Sequence, residues 1–169
     1  MITFDKLKKY SNRATVFIET GTLTGTTVAL ANTLGFAQIY SIELSDKWYK
    51  HSVTRFAKLP HITIIHGNSG EKLGELLSKI NNPCVIWLDA HYSGGDTAKS
   101  DLPLYAELEA IGKHHVKNHT VLIDDMRGFG RSNVEAAIMN INPNYKIIYE
   151  DGGSNKQVFK DDILVAMVD

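Results

Sequence analysis

Acidic residues in this chain gather at two points where an apolar run gives out. Asp89 follows Trp87 and Leu88, with His91 two positions later; Asp124 and Asp125 follow Val121, Leu122 and Ile123. Carboxylates brought together repel and raise one another's pKa unless a cation or a basic partner offsets them. All-oxygen donor sets suit a hard divalent ion such as Mg2+, Mn2+ or Ca2+. Asp89, Asp124 and Asp125 are therefore the candidate metal ligands. His91 is the preferred general base, because an imidazole titrates near neutrality and can face the same cleft; Asp89 is the alternative if no metal binds. Arg127 could either orient an acceptor phosphate or pair with these carboxylates.

A second constellation lies earlier. Glu19, Thr20, Gly21, Thr22, Leu23, Thr24 and Gly25 follow an apolar run and precede a helical pattern. Glycine there permits close backbone approach, and the helix that follows offers unpaired amides to an anionic group. A tight turn with no ligand would look the same. Glu43 ends the next apolar run eighteen residues after Gly25, where an acidic side chain can accept hydrogen bonds from both hydroxyls of an adenosine ribose. Beyond the third run, Asn68 and Ser69 supply an amide and a hydroxyl near where an adenine would lie, although Ser69 can also cap its helix. Candidate cofactor contacts are thus Glu19, Gly21, Thr22, Thr24, Gly25, Glu43, Asn68, Ser69 and Asp89.

These residues need a scaffold, and its elements are legible as alternating patterns. Apolar, β-branched runs at 15–18, 39–44, 62–65, 85–88, 121–123, 147–149 and 163–168 predict seven strands. Helical segments near 24–34, 46–56, 71–80 and 102–112 separate the first five strands, so the sheet should be largely parallel and covered on both faces. Helix starts are expected at Ser45, at Ser69, at Asp101 with Pro103, and at Ser132 with Glu135 as a capping box. The last two strands are joined by the turn-rich residues 150–155, too few for a helix, which predicts a closing antiparallel hairpin. The expected fold is a Rossmann-like, doubly wound α/β sheet of seven strands in one domain over 1–169.

Composition narrows the function classes. With 169 residues, 43% hydrophobic and 22% charged, the chain has room for one core and one site. Net charge is −1 and the lysines are scattered, so nothing resembles the footprint of a nucleic-acid binder. No apolar stretch is long enough to span a bilayer, and no secretory signal opens the chain, so a cytoplasmic protein without membrane contact is expected. Cys84, the single cysteine, sits in an apolar run and reads as inert core. His114, His115 and His119 read as decoration of a helix end rather than metal ligands. Residues 92–99 read as a polar, glycine-hinged loop that either covers an acceptor or is a plain surface crossover.

The motif from Glu19 to Gly25, followed by Glu43 and by Gly67, Asn68 and Ser69, resembles the successive cofactor motifs of class I S-adenosylmethionine-dependent methyltransferases. Its threonine-rich first loop is similar to that of the catechol and caffeoyl-coenzyme A O-methyltransferases. The acidic strand ends resemble those of metal-dependent O-methyltransferases, including the macrocin-type sugar enzymes. Asn68 stands where many relatives carry Asp, Asp125 departs from the Asp-Asn pair of the catechol type, and the N-terminal helical extension common over the acceptor is missing. The resemblance implies S-adenosylmethionine as methyl donor, Mg2+ or Mn2+ as helper ion, and a small-molecule acceptor, preferentially a carbohydrate hydroxyl, with a homodimer left open. The competing expectations are a nicotinamide- or nucleotide-sugar-dependent enzyme of the same fold, and a methyltransferase-like domain that binds without turnover.

Overall fold

The computed structural model describes residues 2–11, 14–90, 103–154 and 157–169. Seven strands form one sheet: β1 Val16–Thr20, β2 Gln38–Glu43, β3 Ile62–His66, β4 Cys84–Leu88, β5 Thr120–Ile123, β6 Lys146–Ser154 and β7 Gln157–Met167. Their spatial order is β3-β2-β1-β4-β5-β7-β6. Strands β3, β2, β1, β4 and β5 run parallel, and β7 lies antiparallel between β5 and β6. The chain therefore has a Rossmann-like, doubly wound mixed sheet with a terminal antiparallel hairpin, as the alternation of patterns predicts.

Period-two alternation sends neighbouring strand residues to opposite faces. On one face Ile18, Ile86, Leu88, Val121, Ile123, Leu164 and Ala166 pack under α4 (Ser69–Leu77), α5 (Leu104–Lys113) and α6 (Arg131–Ile141). On the other, Phe17, Val85, Trp87, Leu122, Ile163 and Val165 pack under α1 (Phe4–Tyr10), α2 (Thr26–Leu34) and α3 (Asp46–Phe56). Strands β1, β4 and β5 are buried along their whole length. Each large apolar side chain buried this way contributes roughly 1.5–3 kcal/mol, so the centre of the sheet is the rigid part of the molecule.

Several local expectations change. Helix α1 was not legible; it is capped by the Thr3 hydroxyl, which accepts from the Lys6 amide at 3.4 Å, and it buries Leu7 and Tyr10. Its outer side is tied to β6, where Lys9 Nζ donates to Glu150 Oε1 at 2.7 Å, Tyr10 Oη donates to the same oxygen, and Lys6 Nζ donates to the Asp151 carbonyl. Of the stretch expected as a turn over 150–155, residues 150–154 are strand instead: β6 runs on to Ser154, paired with Gln157, after a bulge between Glu150 and Gly152. Glycine makes this possible. A Cβ on Gly152 would lie 2.9 Å from Asp162 Oδ2, and Gly153 adopts φ +95, where a Cβ would collide with the Gln157 carbonyl oxygen.

Caps also shift. Asn68, not Ser69, caps α4, its Oδ1 accepting from the Gly70 amide at 2.9 Å. The capping box at Ser132 does not form, because α6 begins at Arg131 after Gly130 and Glu135 instead accepts from Tyr149 Oη at 2.7 Å. Ser45 precedes α3 without a side-chain cap, and α2 starts at Thr26 rather than Thr24. Asp101, expected at the start of α5, lies outside the described residues; Pro103 immediately precedes that helix. Among the described residues no helix is long and apolar enough to cross a membrane.

Candidate active site at the carboxyl edge of the sheet

Four of the five parallel strands, β1, β3, β4 and β5, hand one extra rung to a neighbour as they end. The Gly21 amide donates to Ile42 O at 2.9 Å, Gly67 to Glu43 O at 2.9 Å, Asp89 to Thr20 O at 3.2 Å, and Asp124 to Leu88 O at 3.1 Å. The residues just past β1, β3, β4 and β5 are thereby held as firmly as the sheet. This brings Glu19, Glu43, Asp89, Asp124 and Asp125 to one edge, where open α/β sheets bind their ligands.

The glycine loop closes on its own protein more tightly than the sequence suggests. Gly21 adopts φ +84, and a Cβ there would stand 2.4 Å from the Asp89 carbonyl oxygen. Gly25 adopts φ +75 as the residue before α2, and a Cβ there would meet the Phe56 ring at 2.6 Å. Both positions require glycine for backbone conformation and for chain-to-chain contact. Between them Leu23 takes a left-handed φ of 48, which aims its amide at Glu43.

Glu43 is 5% exposed and is clasped by two backbone donors: Leu23 N reaches Oε2 at 2.7 Å and Ser45 N reaches Oε1 at 2.7 Å. Such charge-assisted bonds fix the carboxylate's orientation while leaving lone pairs for further donors. Leu44 beside it is 44% exposed and Leu23 is 41% exposed, so the rim around Glu43 is apolar. Asn68 spends Oδ1 on its cap and keeps its side-chain N–H groups, and Ser69 is buried within the first turn of α4.

Glu19 lies deeper. It is 1% exposed, accepts from Ser41 Oγ at 2.7 Å, and through that hydroxyl joins Thr22 Oγ1 at 2.6 Å. Burial pushes its carboxyl up to about 8, and the nearby Asp89 and Glu43 charges add to the rise against the pull of the Ser41 and Thr27 hydroxyls. Ser41 and Thr27 were not foreseen. Ser41 sits in an apolar strand, and a lone polar residue in a buried strand is the signal that could have found it.

On the other half of the edge, Asp124 is 2% exposed, and burial with the neighbouring Asp89 charge raises its pKa above the usual carboxylate range. Asp125 takes a left-handed φ of 55 and pairs with Arg127 at 2.7 Å. Arg127 also donates to Asp162 from its guanidinium, and from its amide at 2.9 Å, while its guanidinium lies 4.0 Å above the Phe159 ring. Ligand atoms of Asp124, Asp125 and Asp162 come within 4.8 Å of one another, the one such triad among the described residues. The grouping therefore takes in Asp162 where the sequence suggested Asp89. The pairing of β7 with β5 puts Asp162 opposite the Asp124–Asp125 corner, a relation that only strand order reveals. Of the two roles open to Arg127, pairing with carboxylates is the one the geometry displays. His91 and the loop 92–99 lie outside the described residues.

No family sequence profile matches this chain, and no curated protein sequence does either. Solved structures do resemble it. The O-methyltransferase from Bacillus cereus in complex with SAH is 17% identical, over 98% of this chain and 78% of that one, with a TM-score of 0.67. The SAH-bound methyltransferase PaMTH1 from Podospora anserina is 14% identical over 98% and 76%, with a TM-score of 0.65. The methyltransferase domain of bacterial CtHen1 is 13% identical over 96% and 93%, with a TM-score of 0.60. At these identities what is shared is the methyltransferase fold.

Proposed function

We propose that this chain is an S-adenosylmethionine-dependent O-methyltransferase acting on a hydroxyl of a small molecule, preferentially a sugar, with a divalent ion assisting. The observation that carries the reading is the division of the carboxyl edge. One half presents Glu43, pinned by the Leu23 and Ser45 amides beneath an apolar rim. The other presents the acids Asp89, Asp124 and Asp125 at the ends of β4 and β5. A nucleoside fits the first half and a polar acceptor the second. The likeness to SAH-bound structures of the same fold supports this reading over a nicotinamide enzyme.

When bound, S-adenosylmethionine supplies a sulfonium whose methyl carbon is electrophilic. The chain's own work is to hold both partners in line and to take up a proton. Glu43 would receive the ribose hydroxyls on its remaining lone pairs; Gly21 and Gly25 set the loop that Thr22 and Thr24 line; Asn68 and Ser69 would border the base. His91, or Asp89, whose place in the ladder holds it at the edge, would take the proton of the acceptor hydroxyl as its oxygen bonds to the methyl carbon and the sulfur departs with the C–S bonding pair as a neutral thioether.

The donor set fits a hard ion, being carboxylate oxygen throughout, and the burial of Asp124 beside the Asp89 charge favours a cation there. Asp124, Asp125 and Asp162 would hold the ion, with Asp89 nearby on the neighbouring strand. The ion would lower the acceptor hydroxyl's pKa. Arg127 competes for Asp125, so metal affinity should depend on that side chain.

Calorimetry with S-adenosylmethionine, SAH and NAD tests the cofactor: micromolar binding of the sulfur compounds with none of NAD is expected, and the reverse would end the reading. Methyl transfer to a panel of sugars and phenols, with and without chelator, tests the rest. Turnover undiminished by chelator would remove the ion from the mechanism.

A further inference from the structure

Away from this edge, at the amino end of the strands, two histidines expected to decorate a helix end are buried. His119 is fully buried just before β5, and His114, which closes α5, is 6% exposed. The Cys84 amide donates to His119 Nδ1 at 3.0 Å, His119 Nε2 lies 2.8 Å from His114 Nδ1, and His114 Nε2 lies 2.9 Å from the Ile80 carbonyl. The rings stack with centroids 5.0 Å apart and planes 20° apart.

The two ends of this chain of bonds determine every proton in it. A backbone amide can only donate, so His119 Nδ1 is bare and its proton sits on Nε2. That proton points to His114 Nδ1, which must also be bare. His114 then carries its proton on Nε2 and gives it to a carbonyl, which can only accept. Both rings are neutral, and neither can gain a proton without setting two N–H groups face to face. A proton on His119 would meet the Cys84 amide; one on His114 would meet His119 Nε2.

We propose that the His114–His119 pair is an acid-sensitive latch joining the end of α5 and the start of β5 to β4 and to the segment after α4. Protonation breaks the chain of bonds and frees the end of α5 while the rest of the sheet stays paired.

Among the described residues nothing gives a proton there a counter-charge. His115 and Lys117 flank the pair from its own connection, and both oppose a charge on His119. Lys113 ends α5 and is paired with Glu109 at 2.6 Å; Cys84 on β4 is a buried thiol pushed up to about 12; Lys79 after α4 is exposed. Burial, followed by His114, lowers the His119 pKa to about 4, against a hydrogen bond with the Val116 backbone that favours the charged ring. A folded-state pKa depressed below the unfolded value near 6.5 gives stability that is complete above that value and lost as pH falls toward 4. For one such group the folding equilibrium weakens roughly 20-fold between pH 7 and pH 5.

Urea unfolding of the full chain from pH 7.5 to 5, compared with His119→Gln, reads this directly. Gln keeps a donor toward His114 and cannot titrate. The wild type should lose roughly 20-fold more of its folding equilibrium over pH 7 to 5 than the variant does; equal losses would overturn the proposal. Nitrogen NMR of the wild-type imidazoles decides the matter even if the variant fails to fold. A bare Nδ1 on His119 that stays bare down to pH 5.5 is expected, and an Nδ1–H or a charged ring at pH 7 would refute it. Amide exchange at pH 5 should rise first at Cys84 and His114; simultaneous opening of the whole sheet would show that there is no separate latch.

Discussion

The two halves of the carboxyl edge are built from the same residue type and solve the problem of buried carboxylates in different ways. Around β1 and β2, Glu43 is satisfied by two backbone amides, and Glu19, raised to about 8 chiefly by burial, keeps its proton at neutral pH and accepts from the Ser41 hydroxyl. Around β5 and β7, Asp125 and Asp162 are balanced by a full positive charge on Arg127. Neutral donors built into a rigid loop leave a site with preset geometry. A balancing side chain can be displaced, which leaves a site able to exchange its counter-charge for another. The first arrangement suits recognition of a fixed cofactor, the second the admission of an ion or a varied acceptor.

The comparison is broken most severely at Gly21. Gly21→Ala forces a Cβ to 2.4 Å from the Asp89 carbonyl at a positive φ, joining strain to backbone collision. A loss of about 4 kcal/mol in denaturant unfolding, with cofactor binding abolished, is expected. Gly35→Ala is the control: its φ is +82 but nothing lies within 4 Å, so only about 1 kcal/mol should be lost.

Removing Arg127 tests the second half. Arg127→Met removes the counter-charge of the buried Asp162 carboxylate, leaving it the amide of residue 127, and should cost about 3 kcal/mol. Millimolar Mn2+ should then raise the melting temperature of the variant more than that of the wild type. Equal shifts would show that the guanidinium and the ion do not share a place.

Glu43→Gln keeps one acceptor oxygen for two amide donors. It should cost about 1–2 kcal/mol of stability and weaken SAH binding at least tenfold by calorimetry. Glu43→Ala should abolish most of the binding.

The smallest effect concerns Glu19. Its folded pKa, near 8, lies above its unfolded value, so its contribution is fully present below about pH 4.5 and is lost as pH rises through 8. Glu19→Gln keeps the Ser41 hydrogen bond without the charge. In thermal melts of the ligand-free protein the variant should gain on the wild type by about 1 kcal/mol between pH 7 and pH 9.

Strand count, helix alternation and the closing hairpin were legible because buried parallel strands leave short, β-branched runs that little else produces. The candidate residues at the strand ends were legible for the same reason: the end of such a run marks the edge of the sheet. Helix α1 escaped notice because only seven residues form it, and its hold on the fold comes from Leu7, Tyr10 and contacts with distant Glu150. The capping box at Ser132 failed because Tyr149, on another element, claimed Glu135. Local patterns cannot anticipate a partner that arrives from far along the chain.

What sequence alone determined, then, is the periodicity of the elements and the chemical type of the residue at the end of each strand, since both depend on neighbours a few positions away. Tertiary structure decided which of those residues meet. It placed Asp162 beside Asp124 and Asp125, gave their charge to Arg127, and packed His119 against Cys84 and His114. The reason is physical: the free energy of a buried charge or proton depends on every dipole within a few ångströms, and those dipoles come together only when the sheet order β5-β7-β6 and the crossovers between its strands have formed.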